Sequence, residues 1–395
     1  MTLDDFIELY VNSWIGMARS NQDDIMTESI VNVQSQRLAS LNDMEERIGG
    51  TFDNVYVISD VDSISRTTAN TIEAKVYEVT VINYHYDDVV GSEDIMAYGV
   101  WHDLVIQSKE TGYCVTSDHF DETDVTGFSC RSDSVYEDGV AFLEDVSLNE
   151  RAEITGEGSL PRSGVTYTTG TLNCALAYAI QWCGISESAR LSAGFTGQSS
   201  TAHSGYNPLY SNENPNGGDC CNFVSQCIHA GGIPTNSTWG YHLEDGIRNG
   251  SSAWICTTDF ATHFASNYVY CTVPNDYSGV FPGNPVFWLV TDGYPKSHNM
   301  FCVGYNSSHV PVLCAHNNEL YRIPITNYSD KILHTIKIAT SDIHTHTYTY
   351  KWNLYKHYRV CSSCEYLASS GVHVVNLMGN CSVCGAHGPF QVIVE

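Results

Sequence analysis

The fold is decided by a ten-residue run, residues 217–226, which reads GGDCCNFVSQ. This run places the thiol of Cys220 where a glycine-rich loop is expected to become a helix. Asp219 is a favourable N-cap, because its side chain can accept hydrogen bonds from the unpaired amides of a first turn. Apolar residues then recur at helical spacing: Phe223, Val224, Cys227 and Ile228. The positive end of the helix dipole is expected to lower the pKa of Cys220 and favour the nucleophilic thiolate.

Two histidines lie where a base and an orienting group could meet this thiol. His298 precedes the apolar run 300–303, and His316 follows the apolar run 310–315. Residues 304–307 separate the two runs as a turn would, so the pattern predicts two adjacent antiparallel strands. The start of one such strand and the end of its neighbour lie at the same edge of the sheet. A thiol, a base and an orienting group are therefore expected to converge, as in nucleophilic triads.

These residues resemble the putative amidase domain found in secreted proteins of Gram-positive bacteria and, more distantly, the NlpC-type cell-wall peptidases. The resemblance rests on the run 217–226 with Gly231 and Gly232, on the preceding NPLY at 207–210, and on a predicted helix at 173–182. It covers about residues 165–340. The resemblance implies a papain-like cysteine hydrolase core and an exported protein.

Carried over by position, the resemblance makes Cys220 the nucleophile and His298 the general base. His316, or its neighbour Asn317, would orient the imidazole. Further residues are expected to orient these groups or to line the substrate cleft: Asp219, Asn222, Asn317 and Tyr210. Core packing is the alternative for Tyr210 and Tyr206, and it is favoured for Trp239 and Trp254.

This chain departs from the family pattern at three places. Cys221 stands where the family usually has a small or hydroxyl residue, and Asn299 stands where it often has an apolar one. The segment 283–288 replaces a typical Gly-Asp before a buried strand. Helical phase does not decide between Cys220 and Cys221, because each shares a stripe with apolar residues. The motif match favours Cys220.

The predicted activity is hydrolysis of an amide or peptide bond through a thioacyl enzyme, with the stem peptide of peptidoglycan as a candidate substrate. Transfer of the acyl group to an amine is a close variant. The alternative is a non-catalytic cell-envelope binding module or an inactive papain-like descendant, because a fold can keep such residues for packing.

Composition excludes several classes of partner. The chain has 395 residues and a formal net charge of −27, which repels the phosphates of nucleic acids. No run of eighteen apolar residues occurs, so the sequence predicts no membrane span.

The first residues, MTLDD, contain neither the basic region nor the long apolar region of a secretion signal. The protein is therefore either cytosolic or one from which a signal has been removed. Because the resemblance implies export, we expect the second, a secreted or cell-envelope protein.

Fifteen cysteines, an odd number, leave at least one thiol unpaired in a monomer. A scaffold held throughout by disulfides is not expected at this size. A bridge such as Cys114 to Cys130 is the kind that the spacing allows.

The region before the amidase-like segment has a different texture. An apolar stripe between Leu3 and Ala18 predicts a helix, and strand-like stretches follow near residues 55–58, 71–84, 97–106 and 113–116, with a hairpin turn at 108–112. We expect a cystatin-like α+β cone. Its aspartates Asp118, Asp121 and Asp124 lack the spacing of a known calcium loop, so a solvated acidic loop is expected there.

The expected fold class is α+β with four parts. Residues 1–150 form the N-terminal α+β domain, 151–168 a linker, 169–340 the papain-like domain, and 341–395 a small module resembling a zinc ribbon. In that module two CxxC pairs are separated by sixteen residues, which suits one structural zinc held by four thiolates: Cys361, Cys364, Cys381 and Cys384. Disulfide pairing is the alternative, and nearby histidines leave a mixed ligand set open. No cofactor is expected in catalysis.

The zinc prediction is testable by metal analysis. Zinc would supply the folding energy of so short a module, so the purified protein should carry one zinc per chain. Cys381→Ser should lower the zinc content well below that of the parent, whereas Cys174→Ser, outside the module, should not. Full zinc retention by Cys381→Ser, or a mass showing two disulfides, would contradict the prediction.

Overall fold

A ten-stranded antiparallel sheet runs through the described part of this chain. The protein is known from a computed structural model. It describes residues 2–15, 25–87, 89, 93–110, 112–130, 164–185, 206–207, 209–210, 219–244, 247–294, 296–340, 348–352, 356–361 and 367–372.

The N-terminal elements are α1 (Leu3–Asn12), α2 (Glu28–Ile48), β1 (Thr51–Arg66), β2 (Thr71–His85), β3 (Asp94–Lys109), β4 (Gly112–His119), β5 (Asp121–Glu122) and β6 (Phe128–Ser129). The predicted first helix and the four strand-like stretches are confirmed. The hairpin between β3 and β4 is confirmed as well, because Lys109 pairs with Gly112. The strands are longer than their apolar stretches, since their outer ends are half-exposed and carry polar residues.

Helix α2 was missed by the sequence analysis although it has 21 residues. Its buried stripe has helical spacing but includes a glutamine and an arginine: Ile30, Gln34, Arg37, Leu41, Met44 and Ile48. Two polar residues in the middle of the stripe interrupt the apolar period on which helix prediction depends.

The remaining elements are α3 (Thr169–Gln181), α4 (Cys220–Ala230), β7 (Tyr241–Glu244), β8 (Ile247–Gly250), α5 (Ser252–Ile255), α6 (Thr257–Ala265), β9 (Val269–Thr272), β10 (Pro285–Trp288), β11 (His298–Tyr305), β12 (Pro311–Ala315), β13 (Glu319–Pro324), β14 (His334–Lys337), β15 (Tyr348–Trp352), β16 (Lys356–Cys361) and β17 (Leu367–Val372). Strands β11 and β12 pair antiparallel, as predicted. His298 opens β11 and His316 directly follows β12, so both histidines lie at one edge of the sheet.

Strand β3 joins the two halves of the sheet. Nine strands follow one another in the order β1-β2-β3-β13-β12-β11-β10-β14-β9, and β4 also pairs with β3. Residues 97–99 of β3 pair with residues 319–321 of β13, while residues 103–109 pair with β4. Neighbouring residues of the strands alternate between two buried clusters. One cluster contains residues of α1 and α2, and the other contains residues of α3 to α6. The result is a mixed α/β arrangement with helices on both faces of one sheet. The papain-like and cystatin-like assignments and the domain boundaries stay predictions.

A buried ion network lies between α2 and the first face of the sheet. Arg37 pairs with Glu78 and with Glu122, and all three side chains are at most 1% exposed. His102 contacts Glu78 and Asp118. Burial opposes the charge on His102, but these carboxylates outweigh burial and raise its pKa to about 9. The expectation of a solvated acidic loop is therefore wrong for Asp118, because its carboxylate is buried against His102 and the hydroxyl of Tyr10.

The suggested Cys114–Cys130 bridge is also wrong, since both thiols are free. The sulfur of Cys130 donates to the carbonyl of Asp118 at 2.9 Å instead.

The four predicted zinc ligands cannot be placed from the described residues. Cys361 ends β16, but its side chain lies outside the described residues, as do Cys364, Cys381 and Cys384. Within the described ranges, no helix combines the length and apolar character needed to cross a membrane.

The ion network predicts a large cost for removing its cation. Arg37→Met should lower the free energy of unfolding by about 3–5 kcal/mol, because Glu78 and Glu122 would stay buried without the guanidinium that balances their charge. Urea denaturation followed by circular dichroism measures this change. Arg66→Met, the same substitution at an exposed position of β1, is the control. A loss for Arg37→Met no larger than that of the control would contradict the account.

Candidate active site

Helix α4 begins at Cys220, as predicted, but the side chain of Asp219 does not cap it in the expected way. The side chain of Asp219 accepts no hydrogen bond from the amides of the first turn. Its Oδ1 accepts from Nδ2 of Asn222 at 2.7 Å, and its Oδ2 lies 2.5 Å from Nδ1 of His316. Asp219 therefore occupies the N-cap position, as predicted, but the expectation that its side chain bonds to the amides of the first turn is wrong, because the stronger partner for this carboxylate is an imidazole.

His316 is held on both ring nitrogens. Nδ1 faces Asp219, and Nε2 lies 2.5 Å from the backbone carbonyl of Trp182. The ring also stacks on Phe223 at 4.2 Å between centroids. Burial lowers the pKa of His316, but the two acceptors outweigh it and raise that pKa. A ring with an acceptor at each nitrogen satisfies both as an imidazolium, so His316 and Asp219 form a buried ion pair.

The turn after β12 continues this contact with two further residues. Asn317 has a positive φ of 96°, a conformation that asparagine tolerates, and its Oδ1 accepts from the amide of Asp219 at 2.7 Å. Asn318 accepts from the amide of Asp124 at 3.2 Å and donates to the carbonyl of Asp121. Residues 316–318 thus connect the start of α4 to the β5–β6 hairpin.

His298 is 1% exposed, and neither of its ring nitrogens has a hydrogen-bond partner among the described residues. Its ring packs on Trp288 at 4.9 Å between centroids. Nδ1 lies 3.9 Å from Oδ2 of Asp124. Burial lowers the pKa of His298, and Asp124 opposes this shift. A buried imidazole with two free nitrogens calls for a functional explanation, since such groups are nearly always paired.

Cys220 lies beside the start of β11. Its thiol faces the backbone of Asn299, the residue after His298, and the hydroxyl of Thr257, and both groups act to lower the pKa of the thiol. Burial nevertheless raises the pKa of Cys220 to about 12, and the negative charges of Asp124 and Asp219 act in the same direction. The expectation of a lowered pKa is therefore wrong. The free-energy cost of burying a thiolate exceeds the stabilisation that the first turn of the helix gives to its charge.

The neighbouring thiol of Cys221 is less accessible. Cys221 is fully buried, whereas Cys220 is 7% exposed. Nδ2 of Asn299 lies 3.7 Å from the sulfur of Cys221. Two of the three departures from the family pattern therefore contact each other, and the asparagine gives the extra thiol a polar partner. Of the two adjacent thiols, Cys220 is therefore the more exposed.

The other predicted site residues lie around this centre. Asn222 is fully buried and accepts from the indole of Trp254 at 2.7 Å, so it orients Asp219 rather than lining a cleft. Tyr210 stacks on Trp254 and packs against Tyr241. Trp239 and Trp254 belong to the core, as favoured.

Sequence reasoning missed three residues at this centre: Thr257, Asn318 and Asp124. Tyr206 also has a specific partner, since its hydroxyl donates to Glu319 at 2.8 Å. Burial raises the pKa of Glu319 to about 7. No local sequence signal marks Thr257 or Asn318. Asp124 carried a signal, its place in an acidic stretch, but not one that connects it to a histidine 174 positions later.

Comparison with known proteins bears on this centre directly. Residues 171–339 match the family model described as Putative amidase domain. The matched range contains Cys220, His298 and His316, and it indicates an enzyme of the amide hydrolase kind. No curated protein and no solved structure matches the chain.

Burial of the Cys220 thiol predicts slow alkylation of this residue at neutral pH. Iodoacetamide should modify Cys220 more slowly than the exposed Cys174 between about pH 6 and 8. The rate at Cys220 should still increase with pH above about 8.5, the ordinary pKa of a free thiol. Peptide mapping by mass spectrometry gives both rates in one sample. A plateau for Cys220 that is half-reached below about pH 7 would contradict the raised pKa.

Proposed function

We propose that the chain is a cysteine-dependent amide or peptide hydrolase with Cys220 as nucleophile and His298 as general base. The family match supports amide hydrolysis. The residue assignment depends on one observation, the buried imidazole of His298 with two free nitrogens next to the strand position that contacts the Cys220 thiol. Such an imidazole can accept a proton at the moment of reaction.

The proposed resting state is a neutral thiol beside a neutral imidazole. The pKa of Cys220 is raised and that of His298 is lowered, so an ion pair is disfavoured before substrate binds. Cys220 then attacks the carbonyl carbon as His298 takes the thiol proton, and a C–S bond forms. The tetrahedral intermediate expels the amine, which receives the proton from His298, and leaves a thioacyl enzyme. Water, activated by the same imidazole, releases the acid.

The start of α4 would stabilise the developing oxyanion. The carboxylate of Asp219 is engaged by Asn222 and His316, so it does not compete for the amide of Cys220. We propose that this amide, with a neighbouring donor, binds the oxyanion at the positive end of the helix dipole. His316 would serve by fixing Asp219, and through it the helix start, rather than by bonding to His298.

The proposed substrate is a peptide amide, with the stem peptide of peptidoglycan as the leading candidate, and the proposed compartment is extracellular or the cell envelope. The net charge of −27 disfavours docking on anionic wall polymers. Recognition would therefore depend on contacts near the thiol. A C-terminal four-thiolate zinc site is part of the same proposal and has a structural role.

The proposal is tested on a panel of peptide aminomethylcoumarin amides and muropeptides, with the released amine measured by fluorescence or mass spectrometry. Cys220→Ala should abolish turnover, and His298→Gln should lower kcat at least about 10²-fold, because it removes the general base. Cys221→Ser should stay within a few-fold of the parent. Acid-quenched parent protein should carry the acyl mass on Cys220.

Turnover retained by Cys220→Ala, or lost in Cys221→Ser alone, would contradict the assignment. Absence of turnover and of any acyl adduct across the panel would favour the non-catalytic binding module.

A further inference from the structure

The β5–β6 hairpin of the N-terminal region extends to the candidate active site. Asp124 lies in its turn, and the Oδ2 atom of Asp124 is 3.9 Å from Nδ1 of His298. The Asp124 side chain is 23% exposed, so its carboxylate stays in contact with water while it faces a buried ring. Among the described residues, Asp124 is the only carboxylate within 4 Å of this imidazole.

Contacts on both sides hold the hairpin in this position. On the amidase-family side, Asn318 accepts from the amide of Asp124 and donates to the carbonyl of Asp121, and Asn327 donates to the carbonyl of Val125 at 2.9 Å. On the opposite side, Glu122 is fully buried in its ion pair with Arg37. The turn also closes on itself, because the amides of residues 125–127 all bond to the carbonyl of Glu122. Asp124 is therefore presented by a fixed turn.

We infer that Asp124 is the positioning residue of His298, so that a turn outside the amidase-family match completes the active site. This inference rests on the proposed function of Cys220 and His298. The other candidates for positioning His298, His316 and Asn317, lie inside the matched range and already have other partners. Nδ1 of His316 faces Asp219 and its Nε2 faces the carbonyl of Trp182. Oδ1 of Asn317 accepts from the amide of Asp219.

The chemistry favours a carboxylate at this place. When His298 takes the proton of Cys220, an imidazolium forms in a buried site, and a carboxylate beside Nδ1 stabilises that charge and fixes the ring with Nε2 towards the thiol. A separation of 3.9 Å lies just beyond hydrogen-bond range, and such contacts often tighten when substrate binds.

Asp124 also opposes ionisation of the thiol. It raises the pKa of both Cys220 and His298, and Asp219 acts on the thiol in the same direction. These are the titratable groups that act on the pair from the hairpin and from the start of the helix. A carboxylate here keeps the proton on sulfur until attack and then favours its transfer to the ring. This matches a concerted general-base step rather than a standing ion pair.

The test compares Asp124→Asn with Asp121→Asn, the same change of charge in the same hairpin. Asp121 bonds to Thr123 through an oxygen that asparagine retains, so its substitution is a matched control. The pKa of the His298 ring is read by NMR of labelled histidine in the full chain, with the resonance assigned from His298→Gln. Asp124→Asn should lower this pKa by about 1 or more, because a charge within about 4 Å is removed.

Kinetics on an active member of the substrate panel gives the second readout. Asp124→Asn should lower kcat about 10-fold to 100-fold with little change in KM, since the lost interaction strengthens in the transition state. Asp124→Glu should recover part of kcat, and Asp121→Asn should stay near the parent. Urea denaturation should show that Asp124→Asn unfolds like the parent, because its side chain is partly exposed.

The outcomes separate this inference from the proposed function. An unchanged His298 pKa in Asp124→Asn, or an unchanged kcat in an active parent, overturns the positioning role and leaves the function standing. If Asp124→Asn lowers the His298 pKa but the parent hydrolyses no amide of the panel, the positioning contact is supported and the hydrolase proposal is contradicted.

Asn318→Ala is a second variant that leaves both charged groups in place. It removes the side chain that holds both ends of the Asp121–Asp124 segment. It should shift the His298 pKa in the same direction as Asp124→Asn but by less. A shift in the opposite direction would contradict the described docking of the hairpin.

Discussion

The buried ion pair between Asp219 and His316 is the contact on which the site depends. It joins the first residue before α4 to the first residue after β12, and the next residues of that turn, Asn317 and Asn318, extend the connection to the helix amide and to the β5–β6 hairpin. A buried charge pair is stabilising only when its remaining hydrogen-bonding groups are satisfied, and here the Trp182 carbonyl and Asn222 satisfy them. One short turn therefore fixes helix α4 against both the sheet and the N-terminal region.

Burial determines the chemistry that this arrangement can perform. It raises the pKa of Cys220 and lowers that of His298, so both groups are expected to be neutral near pH 7 and the thiol to react slowly with oxidants and alkylating agents. The proposed mechanism therefore requires that the thiol be activated during attack. The donors at the sulfur, from Asn299 and Thr257, and a carboxylate beside the imidazole are the groups that lower this cost. Asp124 and Asp219 thus shift the pKa of the neighbouring thiol in addition to contributing to the negative net charge of the chain.

Local patterns predicted the parts of the structure that local forces form. The run 217–226 predicted the start of α4, and two apolar stretches predicted that His298 and His316 lie at one edge of adjacent strands. Asp118 and Asp124 could not be placed, because their partners lie far along the chain and charge spacing alone suggested solvent. Helix α2 was missed because Gln34 and Arg37 occupy its buried face, where only the ion network explains them. The direction of the Cys220 pKa was wrong because helix position is visible in a sequence, whereas the degree of burial is not.

The central claim is that the sulfur of Cys220 and the ring of His298 act on the same carbonyl group. A crystal structure of the full chain after reaction with a peptide aldehyde tests it most directly, because the aldehyde carbon becomes tetrahedral and mimics the intermediate. The account predicts a thiohemiacetal on Cys220, with a ring nitrogen of His298 within hydrogen-bond distance of the adduct and its oxygen directed at the first turn of α4. An adduct on Cys221 instead, or a His298 ring turned away from the bound group, would contradict the account.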